Sequence, residues 1–311
     1  MRLLVLGAGG IGGYFGGRLA QSGADVTFLV RAKRQASLRN DGLRIRSPLG
    51  DVSLSVATCS AERLPHSLAA APFDLVLLSC KAYDLTDAIE AIAPAVAAGA
   101  QVVPLLNGLR HYDALEARFG AQSVAGGLCF ISATLSDTGE VLHFGTAASM
   151  TFGERASQPS SSRLHSLALL CQNATIDHHH TSDITQAQWN KYCFLAALAA
   201  GTCLMRASVG NIIATDGGES LMKALYAECT AVAAASAQPV PPAAQATARE
   251  VLTEPGSQMK ASMLRDLEAG QRVEAAHIVG DMVHRAARTG VDARGLRAAW
   301  VHLQAYERTR G

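Results

Sequence analysis

The segment Arg2-Leu3-Leu4-Val5-Leu6-Gly7-Ala8-Gly9-Gly10-Ile11-Gly12 near the start of the chain decides the reading of the fold. A short apolar run that ends at a glycine has the pattern of a parallel strand buried on both faces. Residues 11–21 then read as a helix, stopped by Gly23. The glycines between strand and helix follow a G-x-G-x-x-G spacing, and each has a separate job. Gly7 permits the tight turn, Gly9 lets a pyrophosphate approach the backbone, and Gly12 lets the helix pack closely on the strand. The N-terminus of that helix faces the negative charge. Gly7, Ala8, Gly9, Gly10, Ile11 and Gly12 are therefore the expected pyrophosphate-binding segment. A P-loop is excluded, because no Gly-Lys-Ser/Thr follows the glycines.

Working outward, residues 25–30, 74–78, 101–105 and 124–128 repeat the short apolar strand pattern. Helical stretches around 84–92 and 112–119 lie between them. Strands alternating with helices predict an α/β, Rossmann-type, doubly wound and mostly parallel sheet. Around 42–56 the pattern changes to an alternation broken by Ser47-Pro48-Leu49-Gly50, which predicts a hairpin. Residues 130–152 also alternate, with Asp137-Thr138-Gly139 as a turn, so antiparallel strands are expected there.

Beyond Asp183, a plausible N-cap, strand signals vanish. Helices are expected from 183 towards 200 and over 218–236, 243–252, 257–269, 273–289 and 293–308. The chain thus reads as a dinucleotide-binding domain, 1–182, followed by an all-α domain, 183–311.

The end of the second strand bears on the cofactor. A carboxylate about 20 residues past the glycines would hold the ribose 2′-hydroxyl of NAD. Here the residues are Val30-Arg31-Ala32-Lys33-Arg34, with cations and no carboxylate. A guanidinium suits a 2′-phosphate bidentately, so Arg31, assisted by Arg34 or Lys33, implies NADP(H). An ordinary solvated basic loop is the competing reading. Lys81 and Asn107 follow later strands, where ligands of open α/β sheets bind, and are further cofactor or substrate candidates.

The 311 residues carry 27 basic and 26 acidic side chains, a formal net charge of +1, which gives no reason to invoke nucleic acid or an anionic membrane. Seven cysteines at irregular spacing argue against a disulfide framework and read as buried thiols in a reducing cytoplasm. The longest apolar run, 192–205, is shorter than the roughly 20 residues needed to span a bilayer and reads as a core helix. A cytoplasmic location is expected, and the helical half leaves room for a homodimer.

Taken together these residues resemble the ketopantoate reductase (2-dehydropantoate 2-reductase) family over nearly the whole chain. The resemblance rests on Gly7 to Gly12, the Lys81 and Asn107 segments, Gln188-Trp189-Asn190-Lys191, and Ser262-Met263-Leu264-Arg265-Asp266 with Glu274 beyond them. It implies NADPH-dependent reduction of a 2-oxo acid to a 2-hydroxy acid, with ketopantoate to pantoate, a step of pantothenate biosynthesis, as the first candidate. It also implies that the carbonyl is held between the nicotinamide and the first helix of the second domain. Lys191 is then the general acid, Glu274 holds or tunes it, and Ser262 and Asn107 bind substrate or cofactor.

Hydride addition turns a carbonyl oxygen into an alkoxide, which needs a positioned acid or cation; a lysine beside a carboxylate can serve. One departure is plain: members of the family carry asparagines one and two helical turns after the lysine, where this chain has Leu195 and Ala199. Those positions share the lysine's side of the helix. A more apolar 2-oxo acid or a ketone is therefore an alternative substrate. A non-catalytic NADPH-binding sensor is the alternative from another class; it would have no need of Lys191, Ser262 and Glu274 together.

Other signals read as structural. His178-His179-His180 is expected to be a solvated linker rather than a metal site. His277 and His284, seven apart, are expected on one helix face. His143 is given no role, and Cys80, beside Lys81, reads as a strand-end thiol.

Overall fold

The computed structural model of the chain describes residues 1–155 and 161–310; Gly311, the end of the expected second domain, lies outside them. The chain divides into two compact units, Met1–Leu106 with His111–Thr185, and Asn107–Arg110 with Gln186–Gly311.

The first unit begins β1 (Arg2–Leu6), α1 (Gly10–Gln21), β2 (Asp25–Leu29), α2 (Ala32–Asp41), β3 (Leu43–Arg46), β4 (Val52–Leu54), β5 (Ala57–Cys59) and α3 (Leu64–Ala70). It continues with β6 (Leu75–Leu78), α4 (Leu85–Ala97), β7 (Gln101–Pro104), α5 (His111–Phe119), β8 (Gly126–Leu135), β9 (Val141–Gly153), α6 (Ser162–Asn173) and β10 (Asp177–His180). Five strands form a parallel sheet in the order β5-β2-β1-β6-β7. The chain runs outward from β1 on one side and then returns to β6 on the other. The order thus reverses at β1, and ligands of such sheets bind beyond the carboxyl ends of the strands at this switch. Leu3, Leu4 and Val5 are fully buried, as the continuous apolar run requires. Phe15 and Leu19 of α1 are also fully buried, each contributing about 1.5–3 kcal/mol.

A second sheet joins β3 and β4, an antiparallel pair, to β9 and β10, with β8 antiparallel to β9. Both expected excursions are present here. Two expectations need correction. Residues 124–128 do not add a regular strand to the parallel sheet: Val124 makes one parallel bridge to Val102, and from Gly126 the chain enters β8. The histidine tract is not a linker. Asp177–His180 is a strand parallel to β9, where His178 and His180 stack on Phe152 at ring separations of 6.4 and 5.6 Å. Exposure alternates along the strand, with Asp177 and His179 exposed and His178 and His180 half-buried.

The second unit is helical: α7 (Ile184–Met205, which starts in the first unit), α8 (Val209–Ile213), α9 (Gly218–Ala235), α10 (Pro242–Leu252), α11 (Ser262–Glu268), α12 (Val279–Thr289) and α13 (Arg294–Thr309). Two of these are shorter than the sequence pattern predicts. The extended backbone at 257–259 supplies carbonyls to the start of α8, with Val209 N–H donating to Met259 O at 3.0 Å and Gly210 N–H to Ser257 O at 2.8 Å. A helix begun at 257 would withdraw those acceptors, so α11 begins at Ser262. Likewise α12 begins at Val279, after a turn in which Glu274 O accepts from His277 N–H at 3.1 Å and Ile278 N–H at 3.2 Å. His277 is in that turn and His284 in α12, so the two do not share a helix face. No helix among the described residues is long and apolar enough to cross a membrane.

Candidate active site

In the first unit, the glycine segment occupies the position the sequence assigns it. Gly7 has φ +91°, a left-handed conformation that a side chain rarely adopts. Its N–H donates to Leu29 O at 3.0 Å, which fixes the turn at the end of β1. At Gly12 an added Cβ would collide with Ser79 Oγ and Gly7 O, so that glycine is demanded by the protein's own packing. Gly9 differs. It is the N-cap of α1 with φ −84°, no side chain caps the helix, and an added Cβ would meet nothing within 4 Å. The protein itself makes no use of the missing Cβ. Open space ahead of the first turn of a helix suits a pyrophosphate, so these residues fit a dinucleotide.

The basic residues after β2 separate into two environments. Arg31 is the N-cap of α2, and its side chain is 74% exposed. Its Nη2 lies 3.0 Å from Asp84 Oδ1 and 3.8 Å from Asp87 Oδ2. The hydrogen bond and charge of Asp84 push the guanidinium pKa further up, so the group stays cationic. Arg34 lies within α2 rather than in a loop. Its Nε donates to Ala8 O at 3.1 Å and its Nη1 to Gly139 O at 2.9 Å, tying the glycine segment to the turn between β8 and β9. Burial, followed by Arg44, lowers its pKa. Lys81 precedes the 3-10 turn Ala82–Asp84 beyond β6 and is half-buried, as is Cys80. His143 is buried between Ser47 Oγ, 2.8 Å from its Nδ1, and Ala147 O, 3.1 Å from its Nε2.

In the second unit, Lys191 on α7 donates from Nζ to Asn107 Oδ1 at 3.0 Å. The Asn107–Arg110 segment is held in turn by the 274–278 turn. Gly108, at φ +80°, lies so close to His277 O that an added Cβ would be 2.8 Å from it. Arg110 Nη1 reaches Ala276 O at 3.4 Å. The neighbour of Lys191 is fixed from the same side. Tyr192 Oη lies 3.0 Å from Ile278 O and 2.9 Å from Asp281 Oδ2, with Arg285 Nε donating to the same Oδ2 at 2.8 Å. Burial, then the charge of Asp281, push the Tyr192 pKa well up, so it remains a neutral donor. Lys191, Asn107 and the turn opening at Glu274 therefore converge, although 84 positions separate Lys191 from Asn107.

Ser262 opens α11, and the residue before it, Ala261, donates its N–H to Thr202 Oγ1 on α7 at 3.4 Å. Ser262 thus follows a residue anchored at Thr202, about three turns beyond Lys191 on α7. On the same helix Leu195 is half-buried and Ala199 is 1% exposed.

Sequence reasoning gave no site role to Tyr192, Asp281, Arg285, Arg110 or His277, which the structure sets around Lys191 and the Asn107 segment. Of these only Arg110 carried a local signal, being on the same short segment as Asn107.

Against proteins of known family, residues 3–157 match the model described as "Ketopantoate reductase PanE/ApbA". Residues 183–307 match "Ketopantoate reductase PanE/ApbA C terminal". An uncharacterized oxidoreductase, YkpB, of Bacillus subtilis (strain 168) is 37% identical over 307 residues, 99% of each chain. A 2-dehydropantoate 2-reductase of Halobacterium salinarum is 29% identical over 287 residues, covering 92% of each. The crystal structure of 2-dehydropantoate 2-reductase from Geobacter metallireducens GS-15 superposes with a TM-score of 0.86 at 30% identity, covering 98% of this chain and 99% of that one. Both halves of the chain are matched, and the motifs at Gly7–Gly12 and Lys191 stand where the matches run; this chain belongs to the ketopantoate reductase family of oxidoreductases.

Proposed function

We propose that the protein reduces a 2-oxo acid to a 2-hydroxy acid with NADPH, and that 2-dehydropantoate is the first substrate to test. The observation that carries this reading is the Lys191 Nζ–Asn107 Oδ1 hydrogen bond of 3.0 Å, which holds the ammonium group in one place. When bound, the nicotinamide supplies the hydride. Lys191 donates a proton from Nζ to the carbonyl oxygen as charge develops there, and its fixed geometry spares reorganisation during the reaction. Glu274, whose turn packs against the Asn107 segment, holds or tunes the lysine. Asn107 orients Nζ, and Ser262 binds the substrate. Arg31 takes the 2′-phosphate of NADPH: it is exposed and cationic, and the fork of a guanidinium can serve a phosphate beside the Asp84 carboxylate. Arg34 shapes the pocket for the nucleotide from below through Ala8, and Lys81 adds charge beyond β6. The cytoplasm is the compartment that suits the chemistry and the free thiols.

A second reading is favoured by Leu195 and Ala199. Neither side chain can hydrogen-bond, so the site has less to offer a hydroxylated acyl chain than one lined by asparagines. A more apolar 2-oxo acid is then the physiological substrate. The deciding measurement is NADPH oxidation at 340 nm across a panel of 2-oxo acids that includes ketopantoate, with NADH in parallel. Fast turnover of ketopantoate supports the first reading, and turnover of another acid alone supports the second. NADPH binding without turnover of any member overturns both in favour of a sensor.

A further inference from the structure

A 2-oxo acid carries its carboxylate directly on the carbonyl carbon, so whatever recognises that anion must lie close to the group that protonates the carbonyl oxygen. Neither Leu195 nor Ala199 can do this. The lysine's own charge is committed to the carbonyl, and Asp281 is committed to Tyr192 and Arg285. A cation, Arg110, lies on the same four-residue segment as Asn107.

Three of the four positions of that segment are held in place. Asn107 is hydrogen-bonded to Lys191, Gly108 is pressed on His277 O in a conformation reserved for glycine, and Leu109 is 8% exposed. Arg110 is exposed, and its one polar contact among the described residues is the long 3.4 Å approach of Nη1 to Ala276 O. Its Nε and Nη2 are therefore uncommitted. Beside it is His277, half-buried in the turn that opens at Glu274. Burial, with Arg110 next, lowers the His277 pKa, which makes it a neutral hydrogen-bonding group at pH 7.

We propose that Arg110, backed by His277, binds the carboxylate of the 2-oxo acid and so confines the enzyme to anionic substrates. A guanidinium takes a carboxylate through two parallel N–H···O bonds, which fixes the orientation of the adjacent carbonyl as well as holding the charge. The inference rests on the reading of Lys191 as proton donor to a 2-oxo acid.

The test compares wild type with Arg110→Gln and Arg110→Lys. The substrates are the 2-oxo acid turned over fastest in the panel and the methyl ester of that same acid. Hydrogen bonds to charged groups translate into a roughly 10- to 150-fold rise in KM for the acid in Arg110→Gln. KM for the ester and for NADPH stays within about two-fold of wild type, and Arg110→Lys recovers part of the acid's KM because it keeps charge but loses the fork. Acid and ester affected alike, or neither affected, would overturn the assignment while leaving the proposed reaction intact. Wild-type protein that reduces no 2-oxo acid, or reduces the ester as well as the acid, overturns it too, and the former outcome removes the proposed reaction with it.

Discussion

Substitution of two glycines in the same motif separates what the ligand needs from what the protein needs. Gly9→Ala places a methyl group where the protein has nothing within 4 Å, at φ −84°, which alanine adopts freely. Two effects on stability oppose each other. Replacing glycine stiffens the unfolded chain and stabilises by about 0.4–1 kcal/mol, while alanine is the poorer N-cap by about the same amount. The melting temperature should therefore move little. The methyl group does, however, occupy the space through which a pyrophosphate would approach the α1 N-terminus. Overpacking of that kind costs about 1–3 kcal/mol, or a roughly 5- to 150-fold weaker Kd for NADPH. Gly12→Ala should behave in the opposite way. Its Cβ meets Ser79 Oγ and the Gly7 backbone, so about 1–3 kcal/mol is lost from the fold itself and the melting temperature falls. Thermal unfolding without nucleotide, paired with a fluorescence titration of NADPH, reads both quantities. A Gly9→Ala protein that melts like wild type and also binds NADPH like wild type would refute the placement of the pyrophosphate.

Three further outcomes are expected. Lys191→Ala should lower kcat roughly 10²- to 10⁴-fold, the usual share of a general acid, with NADPH affinity retained; unchanged single-turnover rates would remove Lys191 from the chemistry. Asp281→Ala leaves Arg285 and Tyr192 without their buried partner and should destabilise the fold by about 3–5 kcal/mol in denaturant titration, an effect that a loss under 1 kcal/mol would contradict. Burial pushes the thiols of Cys171, Cys193 and Cys203 up to about 12 and that of Cys59 to about 11, from an ordinary 9.0. Between about pH 9 and these raised values only the unfolded chain ionises, so stability should fall as pH rises; a thiol reagent at pH 8 should label half-buried Cys80 alone until the protein unfolds.

How much could be read without the structure differs from element to element. The parallel strands and α1 were legible because burial on both faces leaves a continuous apolar run, and the glycine spacing marks a turn that few other residues allow. The starts of α11 and α12 were not: the α8 amides claim the carbonyls at 257 and 259, and the 274–278 turn, packed on the distant Gly108, stands where the first turns of α12 were expected. The histidine strand escaped for a similar reason. Pairing with β9, not local propensity, makes Asp177–His180 extended.

The site divides along the same line. Sequence alone singled out the glycine segment proposed to hold the pyrophosphate, because its residues are contiguous and its backbone shape rests on glycines. It also marked Lys191, Asn107, Ser262 and Glu274, through resemblance rather than through any physical link among them. Only the tertiary structure brought Lys191 to Asn107 and set the turn opening at Glu274, with His277, against the Asn107–Arg110 segment. A helix or strand periodicity records which face is buried, but not which distant side chain it meets. Hydrogen-bonded contacts between residues far apart in the chain depend on where the backbone turns, and that is decided only when the whole unit has packed.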